Sequence, residues 1–289
     1  MRRSFLLAAL AGSLIASPAL ADVTVRYRAV IPENAPANVR QHPPTLTVSA
    51  DGAGQARMEM TAPGDAGAQP PGVAFITREG TGYAVLSAPG GGPQIVARVD
   101  DALALVGQFA APLIRGGSMQ DGAQQVLQQR VEIHPVGPEV VNGVQGNLYR
   151  IVLINGETRA PPMEVVIATD PRLAPVGQEF ARFFESVRPT IVSLLGREPQ
   201  VYMALRGMMG LGAPLRVGDQ LRIDSVSTED VPDSRFALPG PAMSREQLQQ
   251  IAQMMMGMMR QGQGAQIPGM PSAAPPAPAT PPANATNPH

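Results

Sequence analysis

The chain has 289 residues, enough for one large domain or two small ones, and carries 22 basic residues, all Arg, against 23 acidic ones. That balance makes nucleic acid and acidic membrane surfaces poor partners. The absence of Cys excludes disulfides, thiolate nucleophiles, Cys-ligated zinc and iron–sulfur clusters, and the absence of Trp leaves few aromatic platforms for bases or sugars.

The first 21 residues read as a signal peptide. Arg2 and Arg3 give the positive start, Phe5 to Ile15 is an apolar run broken only by Gly12 and Ser13, and Ala19-Leu20-Ala21 fits small-x-small cleavage before Asp22. The run is too short for a permanent bilayer anchor. Arg2-Arg3-Ser4-Phe5-Leu6 also resembles a twin-arginine signal, so both export routes stay open. No later stretch reaches 18 uninterrupted apolar residues. The expectation is an exported, periplasmic protein without an integral membrane span.

From Asp22 to about Val99 the chain alternates with period two. Val23, Val25, Tyr27 and Ala29 predict a half-buried strand. Leu46 and Val48 lead into Asp51-Gly52-Ala53-Gly54 and then Met58 and Met60, which predicts a hairpin. Val73 and Phe75, Glu79-Gly80-Thr81-Gly82, then Tyr83 and Val85 predict a second, and Gln94 to Val99 a further strand. Asp100 is placed as the cap of a helix running towards Ile114, with Leu103, Val106 and Ala110 on one face and Leu105 and Phe109 widening it, so that helix is expected to be well buried. Strands are then predicted at Leu127 to Ile133 and Leu148 to Ile154, with a reversal at Asn155-Gly156 and a partner strand at Met163 to Ala168.

The strongest helical stripe follows. Val176, Phe180, Phe183, Phe184, Val187, Ile191, Leu194 and Leu195 keep helical spacing, with Pro189 expected to kink or divide the helix and Gly196 to end it. A short helix is predicted over Gln200 to Met208, and a hairpin joins Leu215-Val217 to Leu221–Val226 across Gly218-Asp219. Ser244-x-x-Gln247 is a capping-box pattern that opens a Met-rich amphipathic helix with Leu248, Ile251, Met255 and Met258 as its apolar stripe. From about Gln263 the chain is Pro, Ala, Gly and polar residues, with eight Pro to the end, a composition that predicts a disordered tail. The domain plan is therefore 1–21 signal peptide, 22–240 folded domain, 241–262 Met-rich helix and 263–289 tail. About ten strands and two main helical regions predict an antiparallel α+β fold.

The residues Val140-Val141-Asn142-Gly143, Leu148-Tyr149-Arg150-Ile151, Met163 to Ala168, Asp170-Pro171, Ala213-Pro214-Leu215-Arg216, Ser225-Val226 and Arg235 to Pro239 carry a resemblance to an uncharacterised family of exported bacterial proteins with a domain of unknown function. That family resembles in shape the LolA and LppX lipoprotein-carrier group. The resemblance implies a curved antiparallel sheet, a half-barrel closed on its concave side by helices around a space that is either an apolar cavity or a packed core. A cavity of that kind suits a lipid or lipoprotein-like ligand, since apolar transfer contributes about 0.8 kcal/mol per buried CH₂. Family members often place a Cys shortly before the position of Tyr149, and this chain has none.

Catalytic constellations are sparse. The only histidines are His42, His134 and His289, none beside a candidate nucleophile motif. Asp100-Asp101 and Glu229-Asp230 are adjacent pairs whose side chains diverge, which suits capping and a solvated turn. The glycines at Gly90 to Gly92 and Gly207 to Gly212 match no phosphate-binding pattern and read as turns. Clustered methionines (Met254, Met255, Met256, Met258, Met259) are soft enough for Cu(I), but without flanking His they read as adaptable apolar filler. No enzyme, cofactor or metal site is expected. The favoured ligand-binding wall is Phe180, Phe183, Phe184, Val187 and Ile191; the alternative is a structural or interaction factor that meets an envelope protein through Leu248, Ile251, Met255 and Met258.

Overall fold

The computed structural model describes residues 22–32, 35, 37–41, 43–61, 72–87, 94–116 and 120–260. The signal peptide read at 1–21 and the tail read at 263–289 lie outside the described residues, as do His42 and the side chains of Met255 and Met258. The chain divides into a unit ending at Arg245 and a second beginning at Glu246.

The first unit opens with β1 (Val23–Ala29), a short helix α1 (Ala37–Gln41), and the meander β2 (Thr45–Ala50), β3 (Ala56–Thr61), β4 (Gly72–Arg78), β5 (Thr81–Ser87) and β6 (Gln94–Arg98). Helices α2 (Val99–Gly116) and α3 (Gln120–Gln128) follow, then β7 (Arg130–Val141), β8 (Val144–Asn155), β9 (Thr158–Arg159) and β10 (Met163–Ala168). Helices α4 (Ala174–Leu195) and α5 (Gln200–Met209) precede β11 (Pro214–Val217) and β12 (Leu221–Ser227). The result is α+β: among the described residues, a curved, open sheet of twelve strands in the order β6-β5-β4-β3-β2-β1-β12-β11-β10-β8-β7, with β9 paired to β8. Every pairing within it is antiparallel. Two meanders thus meet where β1 pairs with β12.

That order puts β6 and β7 on opposite edges, so α2 and α3 must carry the chain from one edge to the other. A flat sheet of eleven strands is ~50 Å wide, and the 27 helical residues supply about 40 Å of rise. Curling of the sheet shortens the crossing, and α2 packs on α4 and β5 on the way. Alternation places Val23, Val25 and Tyr27 of β1, Val48 and Ala50 of β2, and Ala56 and Met58 of β3 on the face that meets α4, all buried. From the other side of the sheet's core, Val165, Val166 and Ile167 of β10, Leu215 of β11 and Ile223 of β12 complete the cluster.

The opposite face of β4–β6 has its own cover. Ala74, Ile76, Val85 and Val96 form a smaller cluster that Leu238 packs against. A 3₁₀ turn at Asp233–Phe236 lies on β3 and β4, with Phe236 fully buried and Arg235 ion-paired to Glu59 at 2.9 Å. The chain then reaches the edge strand, where the Met243 N–H donates to the Val96 carbonyl at 2.8 Å and Met243 bridges Ala97 in parallel. This covers unpaired backbone at β6 that would otherwise be open to pairing with another chain.

Local chemistry explains where the sequence reading holds and where it does not. The β7–β8 hairpin turns at Asn142-Gly143 with both φ positive, +48° and +79°, and the Asn142 amide donates to the Ile223 carbonyl at 2.6 Å. Residue 127, read as the start of a strand, lies in the last turn of helix α3 instead, because Gln-rich sequence after Asp121 favours the helix and the strand begins only at Arg130. The same strand runs past Pro135 and Pro138 to Val141; an edge strand tolerates proline, and the register slips between Pro135 and Gly137. Asp100 is not the cap of α2, which already starts at Val99; it lies in the first turn, favourable to the helix dipole. That helix is also less buried than its stripe suggests, with Val106 54% exposed. Pro189 does not divide α4, which continues to Leu195 and closes at Gly196 in the left-handed region.

The second unit's described part is α6 (Arg245–Arg260) beyond its first residue, the helix read from its capping box. Within it Leu248 is buried, Ile251 is half-buried and Met254 is exposed. Among the described residues no helix is long and apolar enough to cross a membrane.

Candidate functional site

Helix α4 carries the site because its burial fades along its length. Asp170 caps the preceding 3₁₀ turn by accepting from the Arg172 N–H at 2.9 Å, which aims Pro175, Val176 and Gly177 into the core. One turn later the helix passes the β4–β5 hairpin and the start of α2, and there a cavity of about 420 Å³ opens. Phe75, Val99 and Phe183 form its apolar wall, with Thr77 and Glu179 between them. Exposed Arg98, Asp100, Arg182 and Glu185 surround the opening.

The five residues read as a binding wall are placed in different surroundings. Phe183 lines the cavity, edge-on to Phe75 with ring centroids 4.8 Å apart. Phe180 is buried in the core, edge-on to Tyr27 at 5.9 Å. Phe184 is half-buried against Tyr202 at 5.7 Å, and the Tyr202 hydroxyl donates to the Phe184 carbonyl. Val187 and Ile191 are half-buried further along α4, away from this cavity.

Glu179 is the residue the sequence reading passed over. It is 2% exposed. Its Oε1 accepts from the Thr77 hydroxyl at 2.7 Å, a contact between residues 102 apart in sequence. Its Oε2 lies 3.5 Å from Arg182 Nη1, within ion-pair range but not aligned as a hydrogen bond, and has no hydrogen-bond partner among the described residues. Arg182 divides its charge, since Nη1 also donates to the Gly54 carbonyl at 3.1 Å. Burial therefore pushes the Glu179 carboxyl above its ordinary value, against the smaller opposing effects of Thr77 and Arg182.

A raised carboxyl pKa makes the folded state bind its proton more tightly than the unfolded chain. Stability from this group is intact below the ordinary value of 4.5 and falls as pH rises through the folded-state value. Glu179→Gln keeps an oxygen for Thr77 and removes that loss. The variant should unfold at higher urea than the parent at pH 7, by about 1 kcal/mol, with the gap closing near pH 4. An equal gap at both pH values would mean that the carboxyl carries no charge penalty.

Other candidate groups serve structure. Arg216 sits 2.9 Å from Glu139 and 3.2 Å from Glu164, and Arg150 lies 3.3 Å from Glu164. These arginines hold the Glu164 carboxyl below its ordinary range. The polar members of the resemblance motifs thus tie neighbouring strands together. His134, the only histidine among the described residues, is exposed with Nε2 3.4 Å from Glu132. Glu229 and Asp230 are exposed in the turn after β12. No group of three or more His, Asp or Glu among the described residues is arranged to hold a metal ion. No protein-family model matches the chain, and no curated protein matches it.

Proposed function

We propose that the protein is a non-catalytic, exported periplasmic binding protein whose ligand has an apolar body, held between α4, the start of α2 and the β4–β5 hairpin. The observation that supports this is the cavity itself, within the size range of small-molecule sites and walled by Phe75, Val99 and Phe183. The wall belongs to rigid elements: Phe75 is in the middle of a strand paired on both sides, and Phe183 rides on a helix anchored in the core. A site built this way takes a ligand without first having to order a loop. No cofactor enters this reading.

The test is a fluorescence titration with N-phenyl-1-naphthylamine, a neutral apolar probe that brightens on leaving water. The full chain should bind it saturably at one site. Phe183→Ala removes most of one wall and should weaken binding about tenfold, the equivalent of roughly 1.4 kcal/mol of lost apolar contact. Val192→Ala, on the same helix away from the cavity, should leave the affinity unchanged. Absence of saturable binding by a folded chain overturns the reading and turns attention to α6 as a protein contact.

A further inference from the structure

The apolar wall does not account for the carboxyl inside the same cavity. Among the described residues three carboxylates (Asp100, Glu179, Glu185) and two guanidiniums (Arg98, Arg182) line it, and only Glu179 among them is buried. An unpaired oxygen held out of water in low-dielectric surroundings is costly unless a donor or cation reaches it. Among the described residues the one cation near Glu179 Oε2 is Arg182, and its hold is weak: 3.5 Å away, unaligned, on a half-exposed side chain already bound to Gly54. A hydrocarbon tail pressed against this carboxyl would leave it uncompensated. An anionic head at the opening, facing Arg98, would do that.

We propose that the ligand is an amphipathic cation, an apolar body ending in a primary ammonium, and that the ammonium displaces the Arg182 guanidinium from Glu179. This rests on the apolar-ligand reading above and adds its polar end. The compact ammonium brings three donors, so it can satisfy Oε2 where the guanidinium does not. The freed Arg182 keeps its contact with the Gly54 carbonyl and turns to solvent, which a side chain already half exposed does at little cost. Thr77 continues to donate to Oε1, which fixes the carboxylate plane while the new pair forms.

Displacement of N-phenyl-1-naphthylamine by decylammonium, decanol and decanoate at pH 7.5 tests the assignment on the full chain. Decylammonium should displace the probe at a concentration at least tenfold below that of decanol, with decanoate weakest. Glu179→Gln should bring decylammonium level with decanol, while Val192→Ala, away from the cavity, should keep the parent's order of the three compounds. Arg182→Gln should move the other way and strengthen decylammonium by removing its competitor, a gain that a misfolded variant does not produce. Equal affinity for decylammonium and decanol in the parent, or preference for decanoate, overturns the ammonium assignment while the apolar-ligand reading stands. Failure of the probe and all three compounds overturns both.

Discussion

Gly177→Ala should destabilise the fold by roughly 3 kcal/mol or more, the range reached when overpacking meets backbone that cannot yield. A Cβ at this position would stand 2.6 Å from the Gly212 carbonyl carbon, 2.8 Å from the Ala213 nitrogen and 2.9 Å from the Gly212 Cα. All three are main-chain atoms, so no side chain can swing away. Gly212 has no room to retreat: at φ +156° its own position leaves 2.5 Å between an added Cβ and the Ala168 carbonyl oxygen. The Ala213 carbonyl in turn accepts from the Ala168 N–H at 2.8 Å, which fixes the segment entering β11. The first turn of α4 therefore docks glycine to glycine on that segment, and everything downstream on the helix inherits its position. Gly207→Ala is the matched contrast. It lies inside α5 with open space around it, so the change should stabilise by about 0.5–1 kcal/mol through helix propensity. Urea midpoints for the two variants should fall on opposite sides of the parent. A Gly177→Ala midpoint near the parent's would show that the helix and segment can separate without loss.

The contrast between those glycines marks what a sequence can reveal. Gly207 to Gly212 reads as a turn, and part of it is, but Gly212 is needed for close backbone approach by residues far away in the chain. Strand alternation around Val23, Met58 and Val85 is legible because one face of each strand is buried, with α4 in the cluster of the first two and Leu238 against that of the third. The Phe-rich stripe of α4 was legible for the same reason at helical period. Strand β7 was obscured where Pro135, Gly137 and Pro138 broke the alternation, since only an edge position makes those residues acceptable. Helix α3 was hidden by its small apolar content. Glu179 did leave a signal: it stands three residues after Val176 and four before Phe183, inside the stripe, where a charge has no ordinary place. What no local pattern carries is Thr77, brought to this helix on β4 by the meander.

The stripe also explains why the five residues read together as one wall should separate under mutation. Phe180→Ala should cost about 3–5 kcal/mol, the usual loss for a buried phenylalanine. Its ring is 8% exposed and edge-on to Tyr27, a fully buried ring whose hydroxyl has no hydrogen-bond partner among the described residues. Truncation opens a hole beside that hydroxyl, and the sheet cannot collapse into it because Val25 and Val48 already fill their places on β1 and β2. Phe183→Ala faces an existing cavity, so the loss of stability should be well below that of Phe180→Ala, while affinity for the apolar probe falls. Thermal melts and probe titrations on the two variants should therefore give opposite rankings: Phe180→Ala the lower melting temperature with near-parent affinity in its folded fraction, Phe183→Ala the lower affinity with a milder melt. The same ranking in both assays would place the two rings in one packed core and remove the cavity wall from the argument. The helix can hold both roles only because its burial declines over a single turn, from a face sealed against β1 to one that opens beside the β4–β5 hairpin.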